Sequence, residues 1–325
     1  IQADLEAARR GIASIERSRI PKLLPVLKSG WIFALPFVVL VVSLFSLNLT
    51  PEISALYAAA SVIVLSVVIG YRGKRLSVRD VYEVVKHTGF SICDIIMITA
   101  AAGIIIGVLN ITGLGFGLTL ALVQLAGGNL FLLLVLAAIV CIILGLGMPT
   151  LGVYLLLATL VAPALVELGV DKMAAHLFVM YFGMMSMITP PVAIAAFAAA
   201  NVANTDAMRT GFAAVRFGWT AYIIPFLFVF SPTLLLMGDP LSIAVACVTA
   251  VLGVWLISAA VIGYFGGTMR VLERIAFVVA GMMLLTPAGA VPGGLYVDLA
   301  GFVLGCILIG RARLTGAQRQ AAGAE

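Results

Sequence analysis

Apolar residues in this chain run in long unbroken stretches rather than alternating with polar ones. The stretches fall at 31–49, 53–70, 92–112, 130–147, 148–168, 173–204, 218–237, 241–265, 275–290 and 295–310. About 20 apolar residues carry a helix across the hydrocarbon core of a bilayer, so these runs predict membrane helices. A shorter run, 114–126, stops at Gly127-Gly128-Asn129 and predicts an interfacial or half-membrane piece. Strands of a membrane barrel would alternate polar and apolar residues over about ten positions, and these runs do not. The expectation is an all-α, polytopic membrane helical bundle with roughly nine to eleven segments.

The first 30 residues read differently. Asp4, Glu6, Arg9, Arg10, Glu16, Arg17, Arg19, Lys22 and Lys28 are interspersed with Leu5, Ala8, Ile12 and Ile15 near helical spacing. That pattern predicts an amphipathic helix lying in the cytoplasmic interface over 1–30. It lacks the short apolar core and small-residue cleavage site of a signal peptide. An opening at Ile1 without an initiator Met is what a fragment of a longer protein would show. A second basic stretch carries Arg72, Lys74, Arg75, Arg79 and Lys86. The excess of Lys and Arg in cytoplasmic loops places both stretches inside, with 31–49 and 53–70 as an in–out–in pair.

Composition narrows the class further. Of 325 residues, 63% are hydrophobic and only 10% charged, and the mean hydropathy is +1.21. Soluble domains carry roughly 25% charged residues, so a soluble fold is excluded. The net charge of +5 does not point to nucleic acid, because the basic residues sit mainly in tails and loops. Cys93, Cys141, Cys247 and Cys306 each stand alone in an apolar run and read as small hydrophobes. No metal-ligand spacing of Asp, Glu, His or Cys appears, and no nucleophile constellation supports an enzyme.

The chemistry-bearing stretch is 144–203. It opens with Gly145-Leu146-Gly147-Met148-Pro149-Thr150 and closes with Ser186-Met187-Ile188-Thr189-Pro190-Pro191-Val192. Proline has no N–H and clashes with the carbonyl four residues back. In a helical turn, Pro149 would free the carbonyl of Gly145, and Pro190 and Pro191 those of Ser186 and Met187. An orphan carbonyl in hydrocarbon costs several kcal/mol, so each must be buried in protein, face water or bind something. A sodium ion suits such carbonyls plus the hydroxyls of Thr150 and Thr189. Discontinuous helices of this kind build the sites of many secondary transporters. Pro163 between the breaks predicts a re-entrant hairpin. A third break, Thr50-Pro51-Glu52, weakly echoes Thr189-Pro190-Pro191.

At these residues the chain resembles the large (DctM-like) membrane subunit of tripartite ATP-independent periplasmic (TRAP) transporters. Gly147-Met148-Pro149-Thr150, Ala162-Pro163-Ala164-Leu165, Leu168-Gly169-Val170-Asp171 and Ile188-Thr189-Pro190-Pro191-Val192 are similar to its C-terminal half in order and spacing. The stretches 175–183 and 210–216 resemble the TAXI-associated, fused-permease branch. The resemblance implies a partial elevator-type transporter fold. It also implies a sodium-coupled importer of organic acids in the bacterial inner membrane. Its partners would be a periplasmic substrate-binding protein and a small-permease-like region upstream in the full-length chain. Sodium would be the coupling ion, with no other cofactor. The family's ion site maps onto Ser186, Thr189 and Val192, with Gly147 from the hairpin; Ser186 stands where many members have Gly. The family's N-terminal hairpin and break are not found in this chain. The implied domains are the interfacial helix (1–30), linking spans with a basic loop (31–91), a transport half (92–237), and additional spans and tail (238–325). The rivals are another ion-coupled hairpin carrier and a non-transporting membrane scaffold.

Substrate is expected beside Pro190 and Pro191. Arg216 would attract a carboxylate, or else serve as a positive-inside anchor. Glu52 and Asp298 lie near span ends and are expected to reach water. Gly103-Ile104-Ile105-Ile106-Gly107 and Gly113-Leu114-Gly115-Phe116-Gly117 predict close helix packing.

Overall fold

A computed structural model describes residues 2–12, 19–71, 74–286 and 293–322. Every regular element among them is helical, as the unbroken apolar runs require. The chain forms two compact units, one of Ala13–Met97 and one of Ile1–Ile12 with Ile98–Glu325.

In the first unit, α2 (Leu23–Phe45) packs on α3 (Pro51–Val68). The turn between them uses Asn48 at φ 50°. Thr50 is the N-cap of α3 and Pro51 its first residue, where the missing N–H costs nothing. The sequence echo at Thr50-Pro51 is therefore an ordinary helix start. Phe33, Phe37, Leu56 and Val64 are exposed, the arrangement expected where lipid is the solvent. α4 (Val78–Thr112) begins where Asp80 accepts hydrogen bonds from the Ser77 N–H and hydroxyl, both at 2.8 Å. The Ser77 backbone bond holds the Asp80 carboxyl below the usual carboxylate range.

The second unit contains α1 (Gln2–Arg9) and continues through α5 (Leu114–Ala126), α6 (Leu130–Gly145), α7 (Thr150–Leu160), α8 (Ala162–Glu167), α9 (Lys172–Met185), α10 (Ile194–Val202), α11 (Ala207–Phe217) and α12 (Trp219–Phe230). A 3-10 turn, Pro232–Leu235, then leads into α13 (Pro240–Ile262), α14 (Val271–Leu285) and α15 (Gly294–Ala322). α9 lies at the centre, packed against α6, α7, α8 and α12. Phe178, Val179, Leu133, Leu134, Leu157 and Leu165 are fully buried around it. A second core joins α13 and α14 through Leu256, Ala260, Phe277, Ala280 and Leu284, with α15 packed alongside α14.

Among the described residues four helices are long and apolar enough to cross a bilayer: Pro51–Val68, Ala207–Phe230, Pro240–Ile262 and Gly294–Ala312. The pair Gly103–Leu109 and Leu114–Ala126, bent by 69°, raises the number to five. Apolar runs outnumber these because glycine and proline cut several runs into shorter helices: 148–168 becomes α7 and α8, and 173–204 becomes α9 and α10. The single helix expected over 1–30 is not formed: α1 covers only Gln2–Arg9, residues 10–12 leave it, and α2 already begins at Leu23, while Ile15 lies outside the described residues. The glycine spacing at 103–117 does not produce close packing as expected. A Cβ on Gly103, Gly107, Gly113 or Gly117 would meet nothing, and only Gly115 lies against a neighbour, Leu160.

Candidate functional site

The two proline-marked breaks end helices α6 and α9 and lie against each other. α6 stops at Gly145, and Gly147 takes φ +80°, a conformation that glycine adopts without steric cost. Pro149 then leads into α7. α9 stops at Met185, and a non-helical stretch runs through Pro190-Pro191 to Ala193, the residue before α10. Gly145 permits the close approach: a Cβ there would lie 2.7 Å from the Gly183 carbonyl oxygen and 2.9 Å from Ser186 Oγ.

The freed carbonyls are accounted for one by one. Ser186 Oγ–H, 2% exposed, faces the Gly145 carbonyl at 2.8 Å and the Gly183 carbonyl at 2.6 Å. The carbonyl that Pro149 frees thus finds a side-chain partner from the other break; its own turn offers only Met148 N–H at 3.4 Å. The Met187 carbonyl accepts from Ala195 N–H at 3.0 Å. Among the described residues no hydrogen bond ends on the Ser186 carbonyl.

Thr189 Oγ1 donates to the Met185 carbonyl at 2.6 Å and lies 2.7 Å from the Tyr222 hydroxyl. A threonine has one hydroxyl proton, so Tyr222 of α12 is the donor in the second contact. Thr150 Oγ1 lies 3.9 Å from Met187 Sδ, a second link between the breaks. The hydroxyls of Ser186, Thr189 and Thr150 therefore direct their protons to other protein groups; Ser186 and Thr150 keep their oxygen lone pairs, and Thr189 keeps the one that Tyr222 does not use. Hydroxyl and carbonyl oxygens of this kind fit a hard monovalent cation. Gly147, Thr150 and Pro191 are exposed, Val192 and Pro190 half-buried, and Ser186 buried.

The structure thus brings Thr150, Ser186 and Thr189 into one contact network around the two breaks. Val192 follows in the same stretch, where the next residue, Ala193, donates its N–H to the Thr189 carbonyl at 3.3 Å. Pro190 packs against α11, where a Cβ on Gly211 would come within 2.9 Å of its ring. Arg216 lies at the other end of α11, and its guanidinium donates to the Val261 carbonyl at 3.0 Å and the Ile262 carbonyl at 3.4 Å. It also sits 4.0 Å from Glu6. Those contacts describe an anchor at the C-terminal end of α13. Tyr222 is the functional side chain that sequence reasoning missed. It sits in an apolar run with no motif around it, and only the fold brings it to Thr189.

Arg216 belongs to a wider cluster. Arg9 donates to the Ile262 carbonyl at 3.1 Å, and Arg274 to the Ala260 carbonyl at 2.7 Å and the Val261 carbonyl at 3.3 Å. These carbonyls belong to the last turn of α13, which has no helical donor for them. Glu6, 6% exposed, accepts from Arg10 at 2.7 Å and Arg9 at 2.8 Å. Burial works against its charge, but the hydrogen bonds and charges of Arg10 and Arg9 prevail and hold its carboxyl below the ordinary range. The Gln2 amide fills the space between Ser258, Trp219 and Phe217. With its oxygen toward Ser258 and Trp219 and its nitrogen toward the Phe217 carbonyl, all three are satisfied.

Residues 1–239 match the family described as "Tripartite ATP-independent periplasmic transporter, DctM component". No curated protein and no solved structure matches the chain.

Proposed function

Because the chain belongs to the DctM-component family of tripartite ATP-independent periplasmic transporters, we propose that it is a permease importing organic acids with sodium as the coupling ion. Membership in this transporter family makes it a multi-pass membrane permease associated with a periplasmic binding protein and a small permease. The finer reading adds a TAXI-type binding protein, a carboxylate substrate and the bacterial inner membrane. One observation supports it above the others: two helix breaks within apolar sequence are joined through Ser186, whose hydroxyl faces the Gly145 and Gly183 carbonyls. Sodium would be held by oxygen atoms at Gly147, Thr150, Ser186, Thr189 and Val192. Bound there, it would supply charge neutralisation for an anionic substrate beside Pro190 and Pro191. Ser186 and Thr189 tie the break of α9 to α6 and α12, so a change in their bonding is felt by three helices.

The test is uptake of labelled organic acids into proteoliposomes holding the complete permease with its binding protein. An inward sodium gradient should drive uptake, and Thr189→Ala should reduce it sharply. Uptake proceeding equally well in sodium-free buffer overturns the sodium reading and leaves family membership intact.

A further inference from the structure

The strongest unassigned feature lies in the α13–α15 bundle, outside both helix breaks. Asp298, in the second turn of α15, was expected to reach water from its place near a span end. It is instead 6% exposed, and its Oδ1 has no hydrogen-bond partner among the described residues. An unpaired carboxylate removed from water is expensive, and ionisable groups inside membrane helices mark ion or substrate paths by default.

Asp298 lines a cleft of about 310 Å³ between the 3-10 turn and the facing ends of α12, α13, α14 and α15. Five hydroxyl-bearing residues line it as well: Ser231, Thr233, Ser242, Thr249 and Thr286. Three of their protons are committed. Thr249 donates to the Ala246 carbonyl at 3.2 Å, Thr286 to the Met282 carbonyl at 2.9 Å, and Ser231 and Thr233 share one proton across 2.8 Å. What these hydroxyls offer the cleft is chiefly oxygen lone pairs. No Lys, Arg or His is among the lining residues. The arginines along α13 contact its carbonyls at Ala260, Val261 and Ile262, which begin about 17 Å along the helix from Thr249 at 1.5 Å per residue. A carboxylate and lone-pair oxygens, with basic groups at the opposite end of the helix, form a receptor for positive charge.

From this geometry we propose that the Asp298 cleft is a binding site for a small monovalent cation, separate from the site at Gly147 and Ser186. Its volume admits a partly hydrated alkali ion or a small primary ammonium, two sources of the same chemistry. The Asp298 carboxylate supplies the charge, and the hydroxyls complete the oxygen shell.

The full chain in nanodiscs, unfolded thermally at constant ionic strength, tests this with sodium chloride, ethylammonium chloride and bulky N-methylglucamine chloride. Sodium, ethylammonium or both should raise the unfolding midpoint above that in N-methylglucamine. A sodium-only increment assigns an alkali ion, and an ethylammonium-only increment assigns an amine. Asp298→Asn, near-isosteric, should lower that increment, and so should Ala246→Phe, which fills the cleft and keeps the carboxylate in the sequence; what remains with sodium is the share of the site at the helix breaks. Thr159→Ala, whose hydroxyl bonds to carbonyls of its own helix, should keep the parent's increment. An increment of the parent's size in both Asp298→Asn and Ala246→Phe overturns the proposal, as does no increment in the parent. An increment lost only in Thr189→Ala also overturns it while supporting the ion site at the helix breaks.

Discussion

Replacing Ser186 with alanine removes one oxygen and exposes the cost of the α6 break. In the parent, Ser186 Oγ lies 2.8 Å from the Gly145 carbonyl and 2.6 Å from that of Gly183. Gly183 keeps a backbone donor, Ser186 N–H at 3.3 Å, whereas Gly145 is left with Met148 N–H at 3.4 Å, too long to be a strong bond. Leaving a buried carbonyl without its partner costs about 1–3 kcal/mol. That shifts the equilibrium for separating α6 from α9 by roughly 5- to 150-fold. Cys141 reports on this separation, since it lies one turn before Gly145 in α6 and is fully buried. With Cys93, Cys247 and Cys306 replaced by serine, maleimide alkylation of Cys141 follows transient opening when reclosing outpaces labelling. Ser186→Ala should accelerate labelling within that range. Thr159→Ala provides the control, because its hydroxyl bonds only to Leu155 and Leu156 carbonyls of its own helix. Labelling of Ser186→Ala at the parental rate refutes the assignment of the Gly145 carbonyl to Ser186.

Three further outcomes follow from the same geometry. Tyr222→Phe removes the donor to Thr189 but leaves its lone pairs. It should therefore weaken the apparent sodium affinity of uptake less than Thr189→Ala, for which a loss of about tenfold or more is expected from one oxygen facing a charge; equal effects would assign Thr189 a packing role only. Gly253→Ala places a Cβ 2.8 Å from the Gly281 carbonyl oxygen, an overpacking that costs about 1–3 kcal/mol and should lower the thermal midpoint, whereas Gly310→Ala, whose Cβ would meet nothing, should not. Docking of α1 should depend on acid. The Glu6 carboxyl is held below its ordinary value of 4.5, so its contribution is complete above that pH and fades as pH falls through the lower folded value. Limited proteolysis near residues 10–12 should therefore increase on acidification in the parent. In Glu6→Gln it should be pH-independent and already raised.

What the sequence made legible is what the backbone decides locally. Pro149 and Pro190 donate no N–H, and the helices break beside both where the residues predict it, whereas Pro36 and Pro225 lie inside α2 and α12. Which group answers the freed carbonyl is a different kind of information. Ser186 reaches Gly145 across 41 positions, and Tyr222 reaches Thr189 across 33; neither pairing has a spacing rule behind it. The small-residue pattern at 103–117 shows the limit from the other side. Spacing says what a helix face would tolerate, and four of those glycines meet no neighbour. Asp298 failed for the same reason: nearness to a span end suggests water, but burial there depends on α13, α14 and the 3-10 turn.

The arginines join local and distant information in one device. Read along the chain, Arg9, Arg216 and Arg274 are orientation signals of the positive-inside kind. In space, all three donate to carbonyls of Ala260, Val261 and Ile262 at the end of α13. A helix C-terminus carries partial negative charge, so the same cations complete the end of α13. Glu6 enters as their counter-charge, which explains how a buried carboxylate is tolerated on α1. Among the described residues Asp298, toward the other end of the bundle, meets no such cations, and that contrast separates a carboxylate that holds the fold together from the one proposed to take a ligand.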